Sequence, residues 1–263
     1  MEKIRIVFFD IDGTLVSFKT HRIPSSTLDA VAALRRHGIK VYIATGRPVQ
    51  FIDNLGELEY DGMITVTGAH CFTREGHVIY HHPVSRQTVD RVADYLEAGR
   101  DAYPLICVCE GELFVTAVND EVKEVARLLD IRMPAVRPAS YARGKNVLQL
   151  ISFFKADREK DFMPSLMPDC VSMRWHPSFT DVIADGVSKS AGIDRVLAYE
   201  GIPLSAALAI GDGGNDISMV GHVPYGVAMG NACDALKQVA AYVTDSVDED
   251  GVAKALRHFG LIE

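Results

Sequence analysis

The chain has no C-x-x-C pair, and its five cysteines, Cys71, Cys107, Cys109, Cys170 and Cys233, are an odd number. A disulfide scaffold is therefore disfavoured. Cys107 and Cys109 would share one face of a strand, too few ligands for a zinc site by themselves. Buried free thiols in a reducing compartment are the expectation. Long apolar runs are also missing, so no membrane span is expected. The first apolar stretch, residues 4–9, is too short for a secretory signal and runs straight into acids, which makes cytoplasmic residence the default. Internal repeats and low-complexity tracts are absent. So is a basic excess: 27 Lys and Arg stand against 35 Asp and Glu, a net charge of −8. That argues against nucleic-acid and anionic-membrane partners, which need a basic surface. A small anionic substrate stays compatible, because a local cation in a cleft overrides the global sign.

What is present is an ordinary globular composition, 48% apolar and 24% charged over 263 residues, enough for one or two domains. The chain opens on Ile4-Arg5-Ile6-Val7-Phe8-Phe9-Asp10-Ile11-Asp12-Gly13-Thr14. This reads as a strand buried on both faces, as in parallel sheets, that ends in two acids. Ligands bind outside the carboxyl ends of such strands. Two acids placed together raise each other's pKa, so a cation is expected beside them.

The pattern that follows is strand, helix, strand, helix. A helix is expected at 27–37 with hydroxyl N-caps from Ser25-Ser26-Thr27, a strand at 40–45, and a helix from Pro48 to about Leu55. A third strand at 62–67 and a hairpin to 82 come next. From 83 the texture changes to adjacent strands with interspersed helices, including one at 120–129. Trp175 could line a substrate cleft or pack within that module, and packing is the expectation, since large aromatics dominate cores. From Lys189 the α/β rhythm returns. The fold class is therefore α/β: a doubly wound parallel sheet built from residues 1–82 and 185–263, with an inserted α+β module at 83–184. The two crossings are expected to act as hinges.

Four strand ends carry polar groups: Asp10 with Asp12, Thr45-Gly46-Arg47, Lys189, and Gly211-Asp212-Gly213-Gly214-Asn215-Asp216. Each alone is bland: a solvated turn, a capped helix start, a surface lysine, a turn or a Ca²⁺ loop lacking the EF-hand pattern. Together they describe phosphoryl transfer. A carboxylate can attack phosphorus, Thr45 and Gly46 can cradle phosphate oxygens, and a lysine supplies a point charge. Several hard carboxylates call for Mg²⁺. Asp12, two residues along an extended segment from Asp10, can give a proton to the leaving oxygen and then activate water. Arg47, directly after Thr45-Gly46, is a candidate substrate ligand or a helix-start residue.

This ordered set resembles the haloacid dehalogenase superfamily of phosphohydrolases. The later segments Gly226-Val227-Ala228-Met229-Gly230-Asn231-Ala232 and Asp250-Gly251-Val252 resemble its Cof-like sugar-phosphatase group, hexose-phosphate phosphatases of Bacteroides-type bacteria above all. The resemblance implies a Rossmann-like core with a class-two cap that sets specificity. It implies Asp10 as nucleophile, Asp12 as general acid/base and Thr45, Lys189 and Asn215 as phosphate ligands. It further implies Mg²⁺ held by Asp10, the Ile11 carbonyl in the Asp12 region and Asp212, with Asp216 acting through water. Thr67 stands where the group usually has Asn. An acid at position 12 excludes the ion-pump and dehalogenase branches. The expected substrate is a small phosphorylated metabolite, most of all a sugar phosphate. A sugar phosphomutase, a phospho-receiver and an inactive binding protein are the alternatives. The oligomeric state stays open, with a monomer favoured.

Overall fold

Residues 6–9 are wholly buried, and nothing polar interrupts them until Asp10. Such a segment can only be a central strand, because both of its faces need apolar cover. A computed structural model describes residues 3–99, 101–128 and 131–263. It divides the chain into two compact units, Met1–His81 with Ser188–Glu263, and His82–Val187.

In chain order the elements are β1 (Ile6–Phe9), α1 (Ser25–Arg36), β2 (Lys40–Ala44), β3 (Gly62–Thr65), β4 (His70–Thr73) and β5 (Val78–His81). The second unit holds α2 (Arg86–Glu97), β6 (Leu105–Cys109), β7 (Glu112–Val115), α3 (Asp120–Leu128), β8 (Ala135–Val136), β9 (Val147–Ser152), α4 (Ala156–Leu166), β10 (Cys170–His176) and β11 (Phe179–Ala184). The first unit then resumes with α5 (Lys189–Glu200), β12 (Ala207–Gly211), α6 (Ile217–Val220), β13 (Tyr225–Ala228), α7 (Asp234–Val239), β14 (Tyr242–Val243) and α8 (Gly251–His258).

The first unit is an eight-stranded sheet in the order β14-β13-β12-β1-β2-β3-β4-β5. The six strands from β14 to β3 run parallel, and β4 and β5 add an antiparallel edge. Chain direction reverses at β1: α1 leads to β2 on one side, while α6 leads from β12 to β13 on the other. Right-handed crossovers then place these helices on opposite faces, and the crevice at the reversal lies beside the end of β1. Helix α1 packs beside α8, and α5, α6 and α7 pack in sequence. Phe9 is paired with Ile210 on one side and Ile43 on the other, so Asp10, Thr45 and Asp212 emerge from adjacent strands at one edge.

The second unit is a six-stranded sheet in the order β10-β11-β9-β6-β7-β8, antiparallel except for β7 with β8. Val89, Val92 and Leu96 of α2 and Phe162 of α4 bury against Cys107, Phe114, Leu150 and Val182. All five cysteines are free, with Cys71, Cys107 and Cys109 buried.

Several expected elements change. The helix after Pro48 is a single 3-10 turn, Val49–Phe51, because Pro48 is extended and no side chain caps the next turn. Helix α1 begins at Ser25 with Pro24 in the cap position, so the hydroxyls do not cap it. Leu129, the expected end of α3, lies outside the described residues. Trp175 is 56% exposed, not packed inside. It lies on β10, an edge strand, with its indole N–H donating to Asp181 Oδ2 at 2.8 Å.

Strand β3 stops at Thr65 because Val66 and Thr67 take positive φ, 51° and 56°. β-Branched residues there are outliers that persist only when the surroundings impose them. The surroundings do so here. Val66 N donates to Arg47 O at 3.1 Å and Thr67 N to Thr45 O at 3.0 Å. Gly68 follows at φ 112°, and a Cβ there would lie 2.1 Å from Ser188 O. The turn is thus fixed between the Thr45 loop and the start of α5. Asn tolerates this conformation better than Thr. Thr67→Asn should gain about 1 kcal/mol, or about 2–4 °C in thermal midpoint. A midpoint lowered by calorimetry would mean that the hydroxyl is worth more than the strain.

Candidate active site

The acids of the opening stretch and the later motifs come together. Lys189, at the first turn of α5, is completely buried. Its Nζ donates to Asp10 Oδ1 at 2.6 Å and to Asp216 Oδ1 at 2.5 Å. The other oxygen of Asp216 accepts from Asp212 N and Gly213 N, both at 2.9 Å. That bond pattern explains why Asp216 sits four residues after Asp212. The carboxylate reaches back to close the loop after β12. Oxygens of Asp10, Asp212 and Asp216 all lie within 4.8 Å of one another.

Three carboxylates face one ammonium. Burial first, and the Asp216 charge second, push Asp10 up to about 8, although Lys189 pulls the other way. The same two causes in the same order push Asp212 up to about 7. For Lys189, burial works to lower the pKa, but Asp10 and Asp216 outweigh it and hold the ammonium above its ordinary range. The surplus negative charge and the all-oxygen donor set suit a small hard divalent cation, which would favour the ionised carboxylates.

Asp12 is held differently. Arg47 grips it with two parallel bonds, Nε to Oδ2 at 2.7 Å and Nη2 to Oδ1 at 2.8 Å, while Nη1 donates to Phe51 O at 3.0 Å. This bidentate pair fixes the plane of the Asp12 carboxylate. It also spends on protein groups the guanidinium expected to meet substrate. The Ile11 carbonyl, expected as a metal ligand, is turned into its own loop. It accepts from Leu15 N at 2.9 Å and Val16 N at 2.8 Å, and more distantly from Thr14 N at 3.4 Å, which leaves neither of its two lone pairs free. That expectation is therefore corrected.

Thr45 is buried, and its hydroxyl accepts from Arg47 N at 3.1 Å. Gly46 leaves an open spot. A Cβ there would lie 3.3 Å from Asn215 Nδ2 and 3.5 Å from Thr67 Oγ1. Asn215 itself is exposed. Gly13 has φ 78°, and a Cβ on it would lie 2.2 Å from Asp212 Oδ2. Only glycine allows the two loops to meet so closely.

Two neighbours of Asp212 have no role in the sequence reading. Thr14 Oγ1 donates to Asp212 Oδ1 at 3.3 Å, and Asn231 Nδ2 reaches Asp212 Oδ2 at 3.3 Å. Asn231 follows β13 in Met229-Gly230-Asn231, and its place after a third parallel strand was the available signal. In the second unit, Arg143, Lys145 and Asn146 are engaged with that unit's own acids: Asp90 and Asp94, Glu112, and Glu110. A separate cavity of about 290 Å³, lined by Lys3, His37, Tyr225 and Phe259 among others, lies at the opposite edge of the sheet, where strands begin.

A family of haloacid dehalogenase-like hydrolases matches residues 7–256. YkrA of Bacillus subtilis (strain 168), provisionally named as a phosphatase, is 35% identical over 98% of this chain and 99% of its own. Among solved structures, the HAD subclass IIB sugar phosphatase BT4131 is 44% identical with a TM-score of 0.85, covering 98% of this chain and 100% of that one. BT1666, a phosphatase of Bacteroides thetaiotaomicron, is 35% identical with a TM-score of 0.88, covering 99% and 96%.

Acids that are protonated in the metal-free folded state but ionised in the unfolded chain make folding take up protons. Their contribution to stability is full below the ordinary value of 3.8 and is lost as pH rises toward about 7 for Asp212 and about 8 for Asp10. The thermal midpoint of the metal-free protein should therefore fall between about pH 5 and about pH 8.5. Asp10→Asn should flatten that fall. An equally steep decline in the variant would remove Asp10 as its source.

Proposed function

The chain belongs to the haloacid dehalogenase-like hydrolases, and from that premise we propose a Mg²⁺-dependent phosphohydrolase of small phosphorylated metabolites, sugar phosphates above all. The observation that carries the reading is Lys189 buried between Asp10 and Asp216 beside Asp212, at the ends of adjacent parallel strands. The sugar-phosphate part leans on likeness to BT4131, which is described as a sugar phosphatase. The free thiols agree with a cytoplasmic setting.

In this reading Asp10 is the nucleophile. A carboxylate oxygen of Asp10 bonds to phosphorus as the bond from phosphorus to the substrate oxygen breaks. Asp12 gives its proton to that departing oxygen, releasing the alcohol. Asp12 then takes a proton from water, whose oxygen bonds to phosphorus as the Asp10–phosphorus bond breaks. Phosphate leaves, Asp10 is again a carboxylate and Asp12 is again protonated. Lys189 keeps Asp10 oriented and adds positive charge near the phosphoryl group. Thr45, the Gly46 backbone and Asn215 hold phosphate oxygens, while Arg47 sets the plane of Asp12. Asp10, Asp212 and the Asp12 backbone carbonyl would hold the cation, and Asp216 supports the Asp212 loop through its backbone N–H groups. Mg²⁺, when bound, offsets charge on the transferring group. Unit His82–Val187 is assigned as the specificity cap.

Phosphate release from a panel of phosphorylated metabolites tests this. Asp10→Asn and EDTA should each lower turnover by at least about 10³-fold, in line with loss of a nucleophile or of metal charge stabilisation. Full activity in either case would sink the mechanism. Isomerised substrate without released phosphate would instead mark a phosphomutase. Arg47→Ala should lower kcat by about 10–10²-fold with KM changed less than about threefold, because it acts through Asp12 and not on substrate. A change confined to KM would return Arg47 to the phosphate ligands.

A further inference from the structure

Asp212 is held without any charged partner in hydrogen-bond contact with its carboxylate among the described residues. Asp10 is fixed by Lys189, Asp12 by Arg47, and Asp216 by Lys189 and two backbone N–H groups. The carboxylate of Asp212 is held by neighbours from distant segments: Thr14 on one oxygen and Asn231 on the other.

Asn231 does more than touch Asp212. Its Nδ2 also donates to Gly13 O at 2.8 Å, and its Oδ1 accepts from Val247 N at 3.0 Å. One amide thus joins the loop after β1, the loop after β12 and the segment leading into α8. Gly13 is the residue whose missing Cβ lets Asp212 approach. The strut therefore spans the same gap that the glycine opens. It sets the distance between the two loops and the rotation of the Asp212 carboxylate together.

We propose that Asn231 is a positioning residue for the divalent-cation site, holding Asp212 to the Asp12-Gly13 loop so that cation donors from both loops are pre-arranged. This rests on the metal assignment above. An amide suits the task better than a charged group. It bonds a carboxylate oxygen and a carbonyl through one nitrogen, adds no charge beside the cation, and still caps a backbone N–H. Partners that orient metal ligands typically change affinity by about 10–100-fold when removed.

The test is Mg²⁺ binding to the purified full chain by isothermal titration calorimetry, with no substrate present. Asn231→Ala should raise the Mg²⁺ dissociation constant by about 10–100-fold. The metal-free thermal midpoint should change by no more than a few degrees. If the alanine variant does not fold, Asn231→Ser is titrated in its place. Its hydroxyl keeps a polar group at the position but is too short to span Gly13 and Asp212, so the same weakening is expected. A dissociation constant within twofold of the parent in the folded variant overturns the proposal, whatever the midpoint does. Asp212→Ala separates the two levels. If it abolishes Mg²⁺ binding while the Asn231 variants bind normally, only the role of Asn231 falls. If Asp212→Ala binds Mg²⁺ as the parent does, the metal assignment itself falls.

Discussion

The first unit is arranged around one buried ammonium. Lys189 is fully enclosed, and a lysine so placed would be untenable without Asp10 and Asp216 within bonding distance. Removing one partner of such a buried pair typically costs about 3–5 kcal/mol, because the remaining charge is stranded. Apolar groups of the same volume would serve stability as well or better. The retained charges therefore point to chemistry. With Asp212 alongside, three ionised acids would carry more negative charge than Lys189 can neutralise, and burial together with the Asp216 charge keeps Asp10 and Asp212 from ionising easily. A site in that condition is completed by a cation.

The sheet makes this cluster possible. Parallel strands deliver their carboxyl ends to one edge, and the reversal of chain direction at β1 leaves a crevice there. Asp10, Thr45 and Asp212 need only follow β1, β2 and β12 to converge. The connections do the finer work. Asp216 folds back on its own loop, the Val66-Thr67-Gly68 turn ties Thr45 to the start of α5, and Asn231 ties two acid-bearing loops together. Backbone strain at Val66 and Thr67 sits beside the phosphate-binding candidates, where positions are imposed by surroundings and not by local preference.

What could be read from the sequence follows from which effects are local. The apolar run of β1, ending in acids, is a local signal, and so is each strand that runs into a polar loop. Those signals alone bring Asp10, Thr45, Lys189 and Asp212 to one edge. Side-chain aim is not local. Nothing in Thr45-Gly46-Arg47 says that the guanidinium turns to Asp12, because the partner lies 35 positions away. The engagement of the Ile11 carbonyl is equally non-local, because which N–H groups donate to it depends on how tightly the Asp12–Val16 turn closes. Trp175 was expected inside because aromatic size favours burial, but strand order put it on an edge. The short turn after Pro48 shows the same limit: a suitable first residue does not make a helix when no capping group follows.

If Asp10, held by Lys189, is the nucleophile, it must carry the phosphoryl group during turnover. Rapid acid quench of the enzyme during turnover, followed by borohydride reduction and peptide mass mapping, tests it directly. A phosphorylated Asp10 is reduced to homoserine, whereas free carboxylates are not. Homoserine is expected at position 10 only when substrate is present, and none in Asp10→Asn. Turnover that proceeds with Asp10 unmodified throughout, or with the label on another residue, would contradict it.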